Sequence, residues 1–68
     1  MSNTNKNILD ALYAIYTADE LQASANLNNY LNNAAGIGEH PDVVAEAKKL
    51  IEKIGAARAN RELVKSML

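Results

Sequence analysis

The sequence predicts an all-α protein, built either as a small antiparallel helical hairpin or as a three-helix bundle. Two observations support this prediction: apolar residues recur at helical spacing, and the segments between them carry helix start and stop signals. The length of 68 residues predicts one small domain, residues 1–68. We predict helices near residues 7–16, 18–34 and 41–66, with residues 1–6 frayed.

The first predicted helix is apolar on nearly all sides. Ile8, Leu12 and Ile15 lie at helical spacing, and Leu9 and Tyr16 lie on an adjacent line. A single acidic residue interrupts this segment. A helix of this kind needs cover on more than one side, so we expect it to pack against more than one neighbour.

A break or sharp bend is predicted at Thr17. The segment Thr17-Ala18-Asp19-Glu20 has the pattern of a capping box, in which Thr17 accepts from a backbone amide and Glu20 reaches back to Thr17. The apolar stripe also changes phase there. The alternative is one long helix that passes through Thr17.

The second predicted helix is followed by the stop signal Ala34-Ala35-Gly36, in which Gly36 suits the left-handed position after a helix. Its buried stripe is predicted to contain Ala23, Leu27, Tyr30, Leu31 and Ala34. Amide side chains form a separate stripe: Gln22, Asn26, Asn29 and Asn33. We predict that this amide stripe is a solvated face, with an amide-lined interface as the alternative.

The third predicted helix begins at Pro41, where the missing N–H of proline costs nothing. Its apolar residues form a coiled-coil-like seam of two lines, each with a spacing of seven. The first line holds Val43, Leu50, Ala57 and Val64, and the second holds Ala47, Ile54, Arg61 and Leu68. Arg61 interrupts the seam and is expected to reach an acidic group such as Asp10 or Asp19. Gly55 is predicted to lie inside the helix, although the alternative is that the helix ends there.

The sequence offers no pattern for catalysis or for metal binding. It has no cysteine and one histidine, which excludes disulfides, thiolate zinc sites and histidine-rich sites. Glu39-His40-Pro41-Asp42 is the one cluster of acid–base groups, and we interpret it as a capped turn. Ser24 and Ser66 have no identifiable base. We therefore predict a protein that is not an enzyme, with no catalytic residue, no cofactor and no metal.

Charge and hydropathy limit which partners and which cellular location the sequence predicts. A net charge of −1 argues against nucleic acid and against a membrane surface as partners. No apolar run reaches membrane-spanning length, and the first residues do not resemble a signal peptide. We expect a soluble cytoplasmic protein.

The predicted function is protein–protein interaction by a small helical adaptor or regulator that acts as a homodimer, with a further protein partner unidentified. The basis is a short chain with a thin aliphatic core. The alternative is a nucleic-acid-binding regulator that uses the basic C-terminal segment around Lys53, Arg58, Arg61 and Lys65, although those residues also suit the negative end of a helix dipole. The candidate interface residues are Leu12, Ile15, Tyr16, Leu27, Tyr30, Leu50, Ile54, Ala57, Arg61 and Val64.

Overall fold

Two long helices make up the part of the chain that the structure describes. The computed structural model describes residues 3–34 and 41–68, with helix α1 at Asn3–Ala34 and helix α2 at Pro41–Met67. These residues contain no strand. The all-α prediction is confirmed, and α2 agrees closely with the predicted helix near 41–66.

The two helices lie side by side and run antiparallel. Arg58 and Arg61 of α2 both reach Glu20 of α1, which fixes how the helices sit against each other. Six residues separate Ala34 from Pro41. Six residues are too few to run back along α2, whose 27 residues span about 40 Å. The result is a hairpin with Cα extents of 54 × 14 × 12 Å.

The predicted break at Thr17 is wrong, because α1 is one helix of 32 residues. Thr17 Oγ1 donates a hydrogen bond of 2.8 Å to the carbonyl oxygen of Tyr13, one turn earlier. This is the bond that a threonine makes inside a helix, rather than the bond of a cap at a helix start. The two helices predicted near 7–16 and 18–34 are therefore parts of α1. The alternative of one long helix through Thr17 is confirmed, and the described chain forms a two-helix hairpin.

The contact between α1 and α2 is a continuous seam with alternating spacings of four and three residues. In α1 the seam residues, all at least partly buried, are Tyr13, Tyr16, Glu20, Ala23, Leu27 and Tyr30, and Leu9 continues the same spacing toward the N-terminus. In α2 they are Val43, Ala47, Leu50, Ile54, Ala57, Arg61 and Val64. The predicted seam of α2 is confirmed up to Val64, but Leu68 remains 53% exposed. Leu31, predicted in the buried stripe of α1, is 50% exposed because it lies beside the seam.

The core of the hairpin is thin. Among the described residues, only Ala23, Ala57 and Val64 are buried hydrophobic residues, and no side chain is completely buried. Glu20 lies between Arg58 and Arg61, so three residues further along α1 the chain register places Ala23 opposite Ala57. Small side chains at the centre let the helices approach closely, but they contribute little apolar area.

Helix α1 extends beyond the end of α2. By the same register Met67 lies opposite Tyr13, so the part of α1 before Tyr13 has no helix of the described chain beside it. At 1.5 Å per residue this overhang is about 15 Å long. We call this end of the molecule the open end, and the end near Ala34 and Pro41 the connected end.

Candidate interaction surfaces

An ion cluster occupies the middle of the seam. Arg61 Nη1 donates to Glu20 Oε1, and Arg58 Nη2 donates to Glu20 Oε2 at 3.1 Å. The Glu20 and Arg61 side chains are 15% and 19% exposed, whereas Arg58 is 60% exposed. The expectation that Arg61 reaches an acidic group is confirmed, but the suggested partners Asp10 and Asp19 are wrong, because Glu20 is the acid that lies in the seam opposite Arg61.

The two arginines hold Glu20 in its charged form. The hydrogen bond from Arg58 is the largest cause that lowers the pKa of Glu20 below its ordinary value of 4.5, and the positive charges of Arg61 and Arg58 add to it. Desolvation acts in the opposite direction and is outweighed. Among the described residues no buried side-chain nitrogen or oxygen lacks a hydrogen-bond partner. The cluster fixes which residues of α1 and α2 meet.

The seam divides the remaining surface of the hairpin into two broad sides. On the groove side, side chains of both helices line a shallow depression of about 430 Å³. Its floor contains Ala23 and Ala57, and its walls are mainly polar: Asp19, Gln22, Asn26, Lys53 and Asn60. We call the opposite side, which carries Arg58, the arginine side.

The amide stripe follows the groove side of α1 toward the connected end. Gln22 and Asn26 line the groove, and Asn29 and Asn33 continue the same line beyond it. All four residues are exposed. Asn33 Nδ2 donates to Asn29 Oδ1 at 3.2 Å, so these two amides bind each other along the helix. The interpretation of the stripe as a solvated face stays a prediction.

Toward the open end the groove side changes from polar to apolar. On α1, Leu12 and Ile15 precede Asp19 along the same helical line, and Ile8 lies one turn earlier. On α2, Leu63 and Met67 follow Asn60 in the same way. We call the set Ile8, Leu12, Ile15, Leu63 and Met67 the open-end surface. Four of its members are more than half exposed: Ile8 by 55%, Ile15 by 53%, Leu63 by 61% and Met67 by 53%.

The arginine side also has exposed apolar side chains, but charged residues separate them. Leu21, Leu31, Val44 and Ile51 are at least half exposed. Lys48 lies on this side between Val44 and Ile51, and it faces Glu52 at 3.7 Å. Arg58 follows Ile51 two turns further along α2. The apolar groups of the arginine side are therefore interrupted, unlike those of the open-end surface.

The ten residues predicted as an interface divide into two groups. Leu12 and Ile15 belong to the open-end surface. The other eight lie in the seam, where they pack α1 against α2 within one chain: Tyr16, Leu27, Tyr30, Leu50, Ile54, Ala57, Arg61 and Val64. Sequence reasoning missed Ile8, Leu63 and Met67 as surface residues. Their signal was present, since all three are large apolar residues that fall off the heptad seam.

The remaining candidate groups do not converge on a site. Lys53 lines the groove, whereas Arg58 and Arg61 donate to Glu20, so the basic C-terminal residues are divided between two sides. Glu39 and His40 lie outside the described residues. Within residues 3–34 and 41–68 there is no group of three or more His, Cys, Asp or Glu that could hold a metal ion. No helix of this part of the chain has both the length and the hydrophobicity needed to cross a bilayer.

Comparison with family models, with curated proteins and with solved structures found no match for this chain. Its function must therefore be argued from its surfaces.

Proposed function

We propose that this chain is a non-enzymatic protein–protein interaction module that acts as a homodimer. The observation that supports the proposal is the imbalance between its buried and its exposed apolar residues. Two of the three buried hydrophobic residues are alanines, whose side chain is a single methyl group. Nine large hydrophobic side chains of the described residues remain at least half exposed.

This imbalance favours association because burial of apolar surface is the main stabilising term in folding. A fully buried Leu, Ile or Met contributes roughly 1.5–3 kcal/mol relative to an exposed one. The hairpin leaves much of that contribution unused. Chains of this size commonly gain the missing stability from disulfides, a metal or other chains, and this sequence has no cysteine.

A second copy is the partner that best fits this requirement. If the hairpin depends on association for its stability, the partner must be present whenever the chain folds. A copy of the same chain meets that condition because it is always synthesised together with it. Dimerisation also makes stability depend on the concentration of the chain, which provides a direct test.

The test is to measure mass and stability over a range of protein concentrations. Sedimentation equilibrium should give twice the chain mass of 7.4 kDa. The midpoint of thermal unfolding, followed by circular dichroism, should rise as the concentration rises. A monomer at high micromolar concentration, with an unfolding midpoint that does not depend on concentration, would contradict the proposal.

Nucleic-acid binding by the basic C-terminal residues is the alternative proposal, and it has less support. Arg58 and Arg61 are already bound to Glu20, which leaves fewer cations for phosphates. If the alternative is correct, DNA affinity must fall steeply with added salt, because each phosphate contact releases counterions.

A further inference from the structure

The open-end surface combines large apolar side chains with an absence of charge. Its members are Ile8, Leu12, Ile15, Leu63 and Met67. Asp10, Glu62 and Lys65 lie off this surface, toward the arginine side, whereas Asp19 follows Ile15 on the same helical line and borders the surface. Asp10 also accepts a hydrogen bond of 2.9 Å from Lys6 on its own helix. The result is an apolar surface that draws on both helices and is more than half exposed at four of its five positions.

We propose that the open-end surface is the site at which two copies of this chain bind each other. This inference rests on the proposed homodimer and adds the location of its interface. The contact is isologous: the same residues of each copy form it, as in a two-fold symmetric dimer.

The overhang of α1 is the first reason why the occupant is another chain. Ile8 lies in the part of α1 that extends past the end of α2, so within the described chain no helix lies beside it. Its side chain is 55% exposed. A second molecule can therefore cover Ile8 without displacing any part of the described chain.

The absence of charge is the second reason, because it allows the surface to bind its own copy. When a charged surface meets its own copy, like charges face each other and oppose binding. The open-end surface carries no charge, so it meets itself without this penalty. The arginine side is less suitable, because a contact there would take Lys48 and Arg58 out of water at a cost that an exposed ion pair does not repay.

The size of the molecule sets how far the contact extends. A broad side of the hairpin measures 54 by 14 Å between Cα atoms. A stable interface of standard size buries roughly 800 Å² per partner, so the contact extends beyond the five apolar residues along the groove side. The open-end surface forms the apolar part of the contact, and Asp19, Gln22 and Asn60 at the adjacent end of the groove form its polar rim.

The experiment places a lysine on each side of the hairpin at matched exposure. Ile15→Lys and Leu63→Lys alter the open-end surface, where the native residues are 53% and 61% exposed. Ile51→Lys and Leu21→Lys are the controls on the arginine side, at 56% and 65% exposure. Lysine is a good helix former, so each variant keeps the helix propensity of its chain. The dimer dissociation constant is measured by analytical ultracentrifugation.

We expect each open-end variant to raise the dissociation constant at least about tenfold, because each loses the burial of one large aliphatic side chain. The control variants should stay within a factor of about three, since surface substitutions away from an interface change free energies by roughly 0.5 kcal/mol or less. If the controls weaken the dimer as much as the open-end variants do, or if only the controls weaken it, the assignment is overturned while the homodimer stands. A monomeric wild-type chain would instead refute the homodimer itself.

A mixing experiment covers the case in which an open-end variant fails to fold alone. Ile15→Lys and Ile15→Glu are prepared separately and then combined in equal amounts. If two copies meet at this surface, the opposite charges lie close together, and the mixture should recover helicity and dimer mass that neither variant has alone. A mixture that behaves as the average of its two components would overturn the inference.

Discussion

Helix α1 is continuous through Thr17, where the sequence predicts a break, and paired substitutions at this residue test that continuity. In the structure Thr17 lies inside α1, partly buried, with its hydroxyl bound to the carbonyl oxygen of Tyr13 at 2.8 Å. The two variants are Thr17→Ala and Thr17→Gly. Both remove the hydroxyl and the branched methyl group, so those losses cancel when the two variants are compared.

The difference between these variants has opposite signs in the two arrangements. Inside a helix, glycine is about 0.8–1.0 kcal/mol less favourable than alanine, because it loses more backbone freedom on folding. At a helix N-cap the order reverses, since glycine is accepted there and alanine is strongly disfavoured. Because α1 is continuous, we expect Thr17→Gly to be less stable than Thr17→Ala by about 1 kcal/mol. Thr17→Ala itself should lie within about 0.7 kcal/mol of the wild type, the span of ordinary helix propensities.

Urea unfolding followed by circular dichroism measures these free energies, with every variant at one protein concentration so that self-association affects them equally. Ala25→Gly is the matched control, because Ala25 is an exposed residue further along the same helix. It should cost about 1 kcal/mol and thereby sets the scale for the interior of α1. The continuous helix would be refuted if Thr17→Gly were as stable as Thr17→Ala while Ala25→Gly showed its full cost.

Four further predictions concern the seam and the surface. Val64→Ala should reduce the free energy of unfolding by about 1.5–2.5 kcal/mol, measured in urea, because Val64 is 6% exposed and loses two methyl groups together with their packing. Gly55→Ala should raise it by about 0.8–1.0 kcal/mol, since an added Cβ would meet nothing within 4 Å; a loss would mean that another chain approaches there. Because the pKa of Glu20 is lowered in the fold, the stabilising contribution of Glu20 is present above the ordinary value of 4.5 and is lost as the pH falls through the lowered value. The urea midpoint of the wild type should fall over this pH range, and Glu20→Gln should remove the part of the fall that comes from Glu20. Replacing Asn29 and Asn33 by alanine should stabilise the chain by some tenths of a kcal/mol per site without changing its mass in sedimentation, whereas a loss of roughly 1–3 kcal/mol per site would mean that these amides pair across an interface.

The sequence was sufficient to predict α2 because every signal for that helix is local. Pro41 marks its first residue, and the apolar residues up to Val64 keep one heptad phase. Gly55 was predicted to lie inside the helix, and it does. The prediction was weakest for the large apolar residues that lie outside this heptad phase. Leu63 and Met67 can be recognised as surface residues only when the seam is known to be complete without them.

The same kind of pattern was present in α1, but an acidic residue concealed it. If the line through Leu27 and Ala23 is extended back by three residues, it reaches Glu20, and the seam then continues to Tyr16. A pattern of apolar residues alone is interrupted at Glu20, and the adjacent residues there match a capping box instead. That capping pattern is a local preference, and the tertiary contact with α2 outweighs it.

Glu20 in α1 and Arg61 in α2 lie in the seam because each neutralises the charge of the other. Arg61 interrupts an otherwise apolar seam, so an unpaired guanidinium there would be costly to bury and requires an acid at a facing seam position. Asp10 and Asp19 are both off the heptad line of α1, whereas Glu20 is on it. The acid that pairs with Arg61 was therefore recognisable in principle, but only from the two helices taken together, since the partners lie 41 residues apart. The pair also specifies the register, because sliding α2 by one heptad would leave both charges facing apolar seam residues.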